Sequence, residues 1–393
     1  MSRTVTRSRT ALLALVAATL LVAAACSSDD ASDASGSSTT TSAPSSTTVA
    51  ARPVPGAAWD TIAPVDAGFD PAALERIAET ARVGKSRCLA VTRDGVLVKE
   101  WYFGDTTVDS TQNVFSVTKS VTSTLVGIAQ DEGSLRIDQP ASTWITEWRG
   151  TPSESITVRN LLSNDSGREW SLGIDYGQLI RSPDATAFAI GLGQTSPPGQ
   201  VWAYNNSAIQ TLQRVLASAT GEDVATFART RLFEPIGMAA SSMGADAIGH
   251  TLMYMGVRSN CQDLARFGTL LAHRGRWGSD QVVSEAWVDQ ATGRSSTPLN
   301  AAYGYLWWLN RPGPIGDALA ATGVGEPAAD IGQLAPGAPE DMFWALGLGN
   351  QVVQVDPGSG TVVVRLGTAE FAPEPPTFGR ADASRVVTEA LVD

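Results

Sequence analysis

Lysine is nearly absent from this 393-residue chain, occurring only at Lys85, Lys99 and Lys119; histidine occurs twice and cysteine three times. Each scarcity excludes something. No C-x-x-C, H-x-x-x-H or H-E-x-x-H spacing occurs, so no metal site and no cofactor is expected. No G-x-S-x-G elbow occurs either, which leaves a Ser-His-Asp hydrolase little footing. His250 follows Ala247-Ile248-Gly249 in a loop. His273 closes a helical run where a cation suits the dipole and Gly275 can cap, a structural place. Base is short relative to acid: the formal net charge is −12. With no basic stripe, nucleic acid is not an expected partner. Gly323-Val324-Gly325-Glu326-Pro327-Ala328 fits G-x-G-x-x-A in form only, since a proline lies inside it and no β-branched strand precedes it.

Long apolar runs are also scarce. The one at Ala11–Ala25 falls short of the roughly 20 residues that a membrane span needs. Arg3, Arg7 and Arg9 precede it and Cys26 follows it, so residues 1–25 read as a signal peptide. Ala23-Ala24-Ala25-Cys26 is similar to a bacterial lipobox, in which Cys26 becomes a lipidated N-terminus; a plain secretory signal is the alternative. Ser27–Ala50 is a Ser/Thr/Ala/Asp tract without large apolar residues, and residues 26–58 are expected to form a disordered tether. The chain is therefore expected in the bacterial cell envelope, at the outer face of the plasma membrane, touching it only through lipid. Cys88 and Cys261 remain. In an exported protein they can close a disulfide, but two buried free thiols fit the spacing as well.

What is present centres on Ser116-Val117-Thr118-Lys119. Residues three apart share a helix face, so a helix beginning near Phe115 brings the Lys119 amine to the Ser116 hydroxyl. Serine needs an adjacent base to act as a nucleophile, and lysine supplies one when desolvation lowers its pKa. The helix N-terminus adds backbone N–H groups where an oxyanion would develop. A second cluster, Tyr204-Asn205-Asn206, follows the Pro/Gly turn Pro197-Pro198-Gly199 and opens a helix near Asn206. Tyr204 is placed to shuttle a proton. The Asn206 amide is placed to hold Lys119 and a substrate carbonyl. An aromatic core residue beside an Asn helix cap is the plainer reading of the tripeptide.

S-x-x-K followed by Y-x-N resembles the catalytic apparatus of the serine β-lactamase and penicillin-binding superfamily, in its class C-like branch. Further segments carry the likeness: Asn113–Ser120 around the nucleophile, Ile156–Gly167 ("ITVRNLLSNDSG"), Leu232–Met238, Asp263–Gly268, and Tyr303-Gly304-Tyr305-Leu306-Trp307-Trp308. Together they run from about Phe69 to Val392. "SVTKS", "YGYLWW" and Gly347–Gln351 look most like the 6-aminohexanoate-dimer hydrolase group. The resemblance implies catalytic Ser116, Lys119 and Tyr204, and Asn206 beside the substrate. It also implies a third motif, K-T-G or H-x-G, on the strand facing the nucleophile. Here that triplet is Ala345-Leu346-Gly347, which keeps the glycine and lacks a cation, with the Leu348 N–H as second oxyanion donor. The missing cation argues against a good β-lactamase or cell-wall peptidase and leaves an esterase or an amidase for small linear amides.

Element patterns give an α/β (α+β) fold. A hairpin turns at Asp94-Gly95, the Ser116 helix runs to about Glu132, and strands return at 305–309, 342–347, 351–356 and 361–366 before a C-terminal helix over 381–391. An antiparallel sheet flanked by helices, with a mostly helical insert over about 134–290, is the expected form of residues 59–393. The expected function is ester or amide hydrolysis through an acyl group on Ser116, acting on a small molecule. Trp170, Trp202 and Trp344 are candidates for the acyl pocket or for plain core. A β-lactamase or D-Ala-D-Ala carboxypeptidase, and a non-catalytic anchored binding module, are the rival readings.

Overall fold

Val362-Val363-Val364 is apolar without alternation, the mark of a strand covered on both faces. The computed structural model, which describes residues 53–368 and 376–392, places it inside a six-stranded antiparallel sheet. The strands are β1 (Ser86–Arg93), β2 (Val96–Tyr102), β3 (Trp308–Leu309), β4 (Phe343–Gly347), β5 (Gln351–Asp356) and β6 (Thr361–Gly367). Their order is β2-β1-β6-β5-β4-β3. Asp94 and Gly95 both take positive φ, 48° and 80°, as the tight β1–β2 turn requires.

Side chains two apart share a face. Ala90, Ala345, Val353 and Val364 face α2 (Val117–Asp131) and its neighbours. Leu89, Val91, Trp344 and Val363 lie in the opposite core with α1 (Pro71–Val83) and the C-terminal helical segment. α1 starts where a helix should, with the Asp70 carboxylate accepting from Ala72 N–H and proline in the first turn. Cys88 on β1 and Cys261 are joined by a disulfide.

Three boundaries differ from expectation. The insert was placed over 134–290, but the helical run Cys261–Ala272 already packs on β6, β5 and β1. Gly268 permits that approach, since a Cβ there would lie 2.4 Å from Val362. The tether was expected through residue 58, yet Pro55 is buried and Arg266 donates to the carbonyls of Pro55 and Gly56. The strand expected over 305–309 shrinks to Trp308–Leu309 because Leu306 takes φ 60° in a turn closed by Gly304 N–H and Trp307 O. The C-terminal helix opens at Arg380 and passes into a π turn at Val386. The signal peptide, Cys26 and the tether up to residue 52 lie outside the described residues. Among the described residues no helix is long and apolar enough to cross a membrane.

Candidate active site

The serine sits at a bend. Phe115 takes φ 49°, a left-handed conformation costly for a bulky residue, and its N–H is held by Asn113 Oδ1 at 2.7 Å. Ser116 then caps α2, and Lys119 stands one turn in with its Nζ 2.8 Å from Ser116 Oγ. Lys119 Nζ also donates to Tyr254 O at 3.0 Å, and the residue is 1% exposed. Desolvation lowers its pKa from 10.5 to about 7, with the nearby Asp175 charge working the other way. A helix this rich in hydroxyls can be buried because the segment 253–257 answers it. Val257 N–H donates to Thr118 Oγ1, and Thr122 Oγ1 donates to Met253 O.

Tyr204 approaches from the other side. Its ring centroid is 4.6 Å from Lys119 Nζ, and its phenol stands near Ser116 and Trp308, with all three lining one cavity. Burial raises the phenol's pKa, and the nearby Ser116 hydroxyl offsets part of that rise. Behind it, the Trp170 indole donates to Tyr204 O at 3.2 Å. Asn205 caps α3 (Asn206–Gln210) through its bond from Ala208 N–H. Asp175 takes the next two amides, from Asn206 at 2.5 Å and Ser207 at 3.2 Å, together with the Ser207 hydroxyl at 2.6 Å.

Asn206 does not do what its spacing suggested. It was expected to hold the lysine, but the second acceptor for Lys119 is the Tyr254 carbonyl. The Asn206 side chain instead lies by the Tyr176 phenol, and its Oδ1 is buried without a protein partner.

Ser116 and Tyr204 open into a cavity of about 430 Å³ that Gly347 and Leu348 also line. Gly347 has no room for a side chain, since a Cβ would lie 2.3 Å from Val114 O. The glycine is what lets β4 come up to the nucleophile turn. Of the three tryptophans weighed for the pocket or for plain core, none lines this cavity. Trp344 points to the opposite face of the sheet and donates to Gln354, a consequence of strand parity. Trp202 is fully buried, edge-on to Tyr303 and Trp308, and Trp170 lines a separate small cavity. The indole that does line the cavity is Trp308, with Tyr176, Leu319 and Arg380 nearby. A slightly larger cavity, about 480 Å³, opens beside Arg168 away from Ser116. Among the described residues one His/carboxylate group, Asp184, Asp246 and His250, has ligand atoms within 4.8 Å of one another. Its carboxylates are already engaged by the backbone of residues 185, 187, 248 and 250.

Sequence reasoning missed Asp175, Tyr176, Tyr254 and Arg380. Tyr254 acts through a backbone carbonyl, which any residue carries, so no signal for it existed. Trp308 lay in a quoted segment without a role.

A bent nucleophile turn, a buried serine–lysine pair and a tyrosine facing it across a sheet-plus-helices body define a serine-hydrolase-type fold. The Beta-lactamase family profile matches residues 72–385, and the chain belongs to that family. Penicillin-binding protein 4 of Amycolatopsis lactamdurans is 29% identical over 188 residues, 46% of this chain and 44% of that one. The 6-aminohexanoate-dimer hydrolase of Paenarthrobacter ureafaciens is 22% identical over 252 residues, 56% of this chain and 62% of that one. Both matches thus span less than two thirds of the relative's length. The octameric penicillin-binding protein homologue of Pyrococcus abyssi shares the fold, with a TM-score of 0.59 at 18% identity, covering 80% of this chain and 76% of that one.

Proposed function

We propose that the protein is a serine hydrolase that cleaves an ester or small linear amide through an acyl group on Ser116. The observation that carries this reading is the Ser116–Lys119 contact at 2.8 Å, with the amine buried and its pKa near 7. A neutral lysine there accepts the Ser116 proton while Oγ attacks the carbonyl carbon. Tyr204, whose phenol burial keeps protonated, relays the proton from Lys119 to the leaving oxygen or nitrogen rather than serving as the primary base. The N–H groups of Ser116 and Leu348 are assigned to the oxyanion. Water, deprotonated through the same pair, then attacks the acyl carbon and frees Ser116. Asn206 Oδ1 is assigned to the substrate. The relatives support an acyl-transfer centre, and the lack of a cation at Ala345-Leu346-Gly347 favours an uncharged ester or amide.

One observation favours a second reading, a β-lactam or D-Ala substrate. Arg380 lines the same cavity, and among the described residues no carboxylate pairs with it. The test is a screen of short-chain esters, linear amides and nitrocefin, with Ser116→Ala and Lys119→Ala as controls. Ester or amide turnover lost in both variants, without nitrocefin cleavage, is the expected result. Preferential nitrocefin cleavage would establish the second reading. No reaction with any substrate or a fluorophosphonate would leave a binding module on a hydrolase fold.

A further inference from the structure

Leu172, Tyr176 and Ile180 recur every fourth residue along the helical run 172–181. All three are exposed, at 45%, 43% and 48%, while Ile174, Asp175 and Leu179 on the other side are buried. The run therefore has its inward face satisfied and a second apolar face left in water. Single exposed apolar residues are ordinary, but these form a row joined at its middle to the catalytic cavity. Tyr176 lines the cavity that holds Ser116. Ile180, one turn on, lines a second cleft of about 390 Å³ walled by Leu179, Leu252 and Met255, with Arg181 and Asp246 also on its wall. At the catalytic mouth stand Leu319 and Leu348, exposed at 58% and 48% and lining the Ser116 cavity.

We propose that the Tyr176–Ile180 part of this row seats the hydrocarbon chain of the substrate, so that the enzyme takes esters with a medium-length or long linear apolar chain, laid from the Ser116 cavity past Tyr176 toward Ile180. The inference rests on the hydrolase reading above. A chain fits better than a protein partner. The row is one side chain wide and opens from the nucleophile, whereas a stable protein interface needs on the order of 1,000 Å². Tyr176 to Ile180 spans about 6 Å of helix axis, the reach of roughly five methylenes beyond the cavity.

The test uses the full folded domain and two ester series, 4-nitrophenyl acetate, butyrate and octanoate, and ethyl, butyl and octyl acetate, all below micellar concentrations. The expected result is that kcat/KM for the octyl or octanoyl ester exceeds that of its four-carbon counterpart roughly tenfold in at least one series, as half-buried methylenes should give. Ile180→Ser should lower that ratio severalfold, whereas Leu172→Ser, on the other side of Tyr176 from the chain's path, should leave it unchanged. Because the ratio is taken within each variant, a general loss of activity cancels. Both residues are exposed, so neither variant removes core. A flat or falling chain-length profile in the wild type, an unchanged ratio in Ile180→Ser, or an equal drop in Leu172→Ser overturns the inference, while turnover of the short esters leaves the hydrolase reading standing. No Ser116-dependent turnover of any ester overturns both.

Discussion

Replacing Lys119 with methionine should abolish turnover and, near neutral pH, make the protein more stable. The amine is 1% exposed, and its pKa falls from 10.5 to about 7 on folding. At about 1.36 kcal/mol per pH unit, that shift corresponds to roughly 5 kcal/mol against burying the charged form. The sign follows from proton counts. Between about pH 7 and 10.5 the unfolded chain binds a proton at Lys119 that the folded chain does not, so wild-type stability rises with pH there. Below pH 7 both states are protonated and the full penalty remains. Methionine carries no such term. Its loss is the bond to Tyr254 O, and an unsatisfied buried carbonyl costs about 1–3 kcal/mol. Urea unfolding of wild type and Lys119→Met at pH 6 and pH 9 isolates the effect, because the pairwise loss is common to both pH values. The wild type should gain about 2–3 kcal/mol on the variant between them. A stability difference that does not move with pH, or moves the other way, would refute a lysine held neutral by burial and with it the proposed base.

Three further outcomes are expected. Asp175→Asn removes the charge that raises the Lys119 pKa, so the acid limb of kcat/KM should move to lower pH; Tyr204 and Tyr254 also face the amine and remain in the variant, and a limb that stays or moves upward contradicts the assignment. Gly347→Ala puts a Cβ 2.3 Å from Val114 O, pushing β4 from the nucleophile turn, and kcat/KM should fall on the order of 100-fold, as steady-state kinetics would show. Arg365 is fully buried and donates to Ser86 Oγ, Gly84 O, Gly349 O and Asn350 O. Arg365→Met should cost about 3 kcal/mol or more in urea unfolding, and should lower kcat more than it changes KM, because the turn it ties follows Leu348.

How much of this was legible depended on how local each feature is. Ser116 and Lys119 meet because three residues make nearly one helical turn, a fact written in their spacing. The sheet was readable from unbroken apolar strands such as Val362–Val364, and the tight hairpin from Asp94-Gly95. Features set by tertiary approach were not. Asp175 reaches the start of α3 from a run with no motif of its own, and Tyr254 contributes only a carbonyl. Which of its two readings held for Trp344 was a matter of parity, since a single position along a strand decides which core a side chain enters. The return of Cys261–Ala272 to the sheet was hidden because a helix in the insert and a helix on the sheet share the same apolar period. Gly268 marks the difference only once Val362 is seen against it.

The central claim is that Ser116 carries the acyl group, and trapping tests it most directly. The protein would be mixed with 4-nitrophenyl butyrate, quenched in acid within milliseconds, and the intact mass and peptide map recorded. One butyryl group on the peptide containing Ser116, appearing with the burst of nitrophenol and missing in Ser116→Ala, is the predicted result. Steady turnover with no adduct, or an adduct on any other residue, would contradict it.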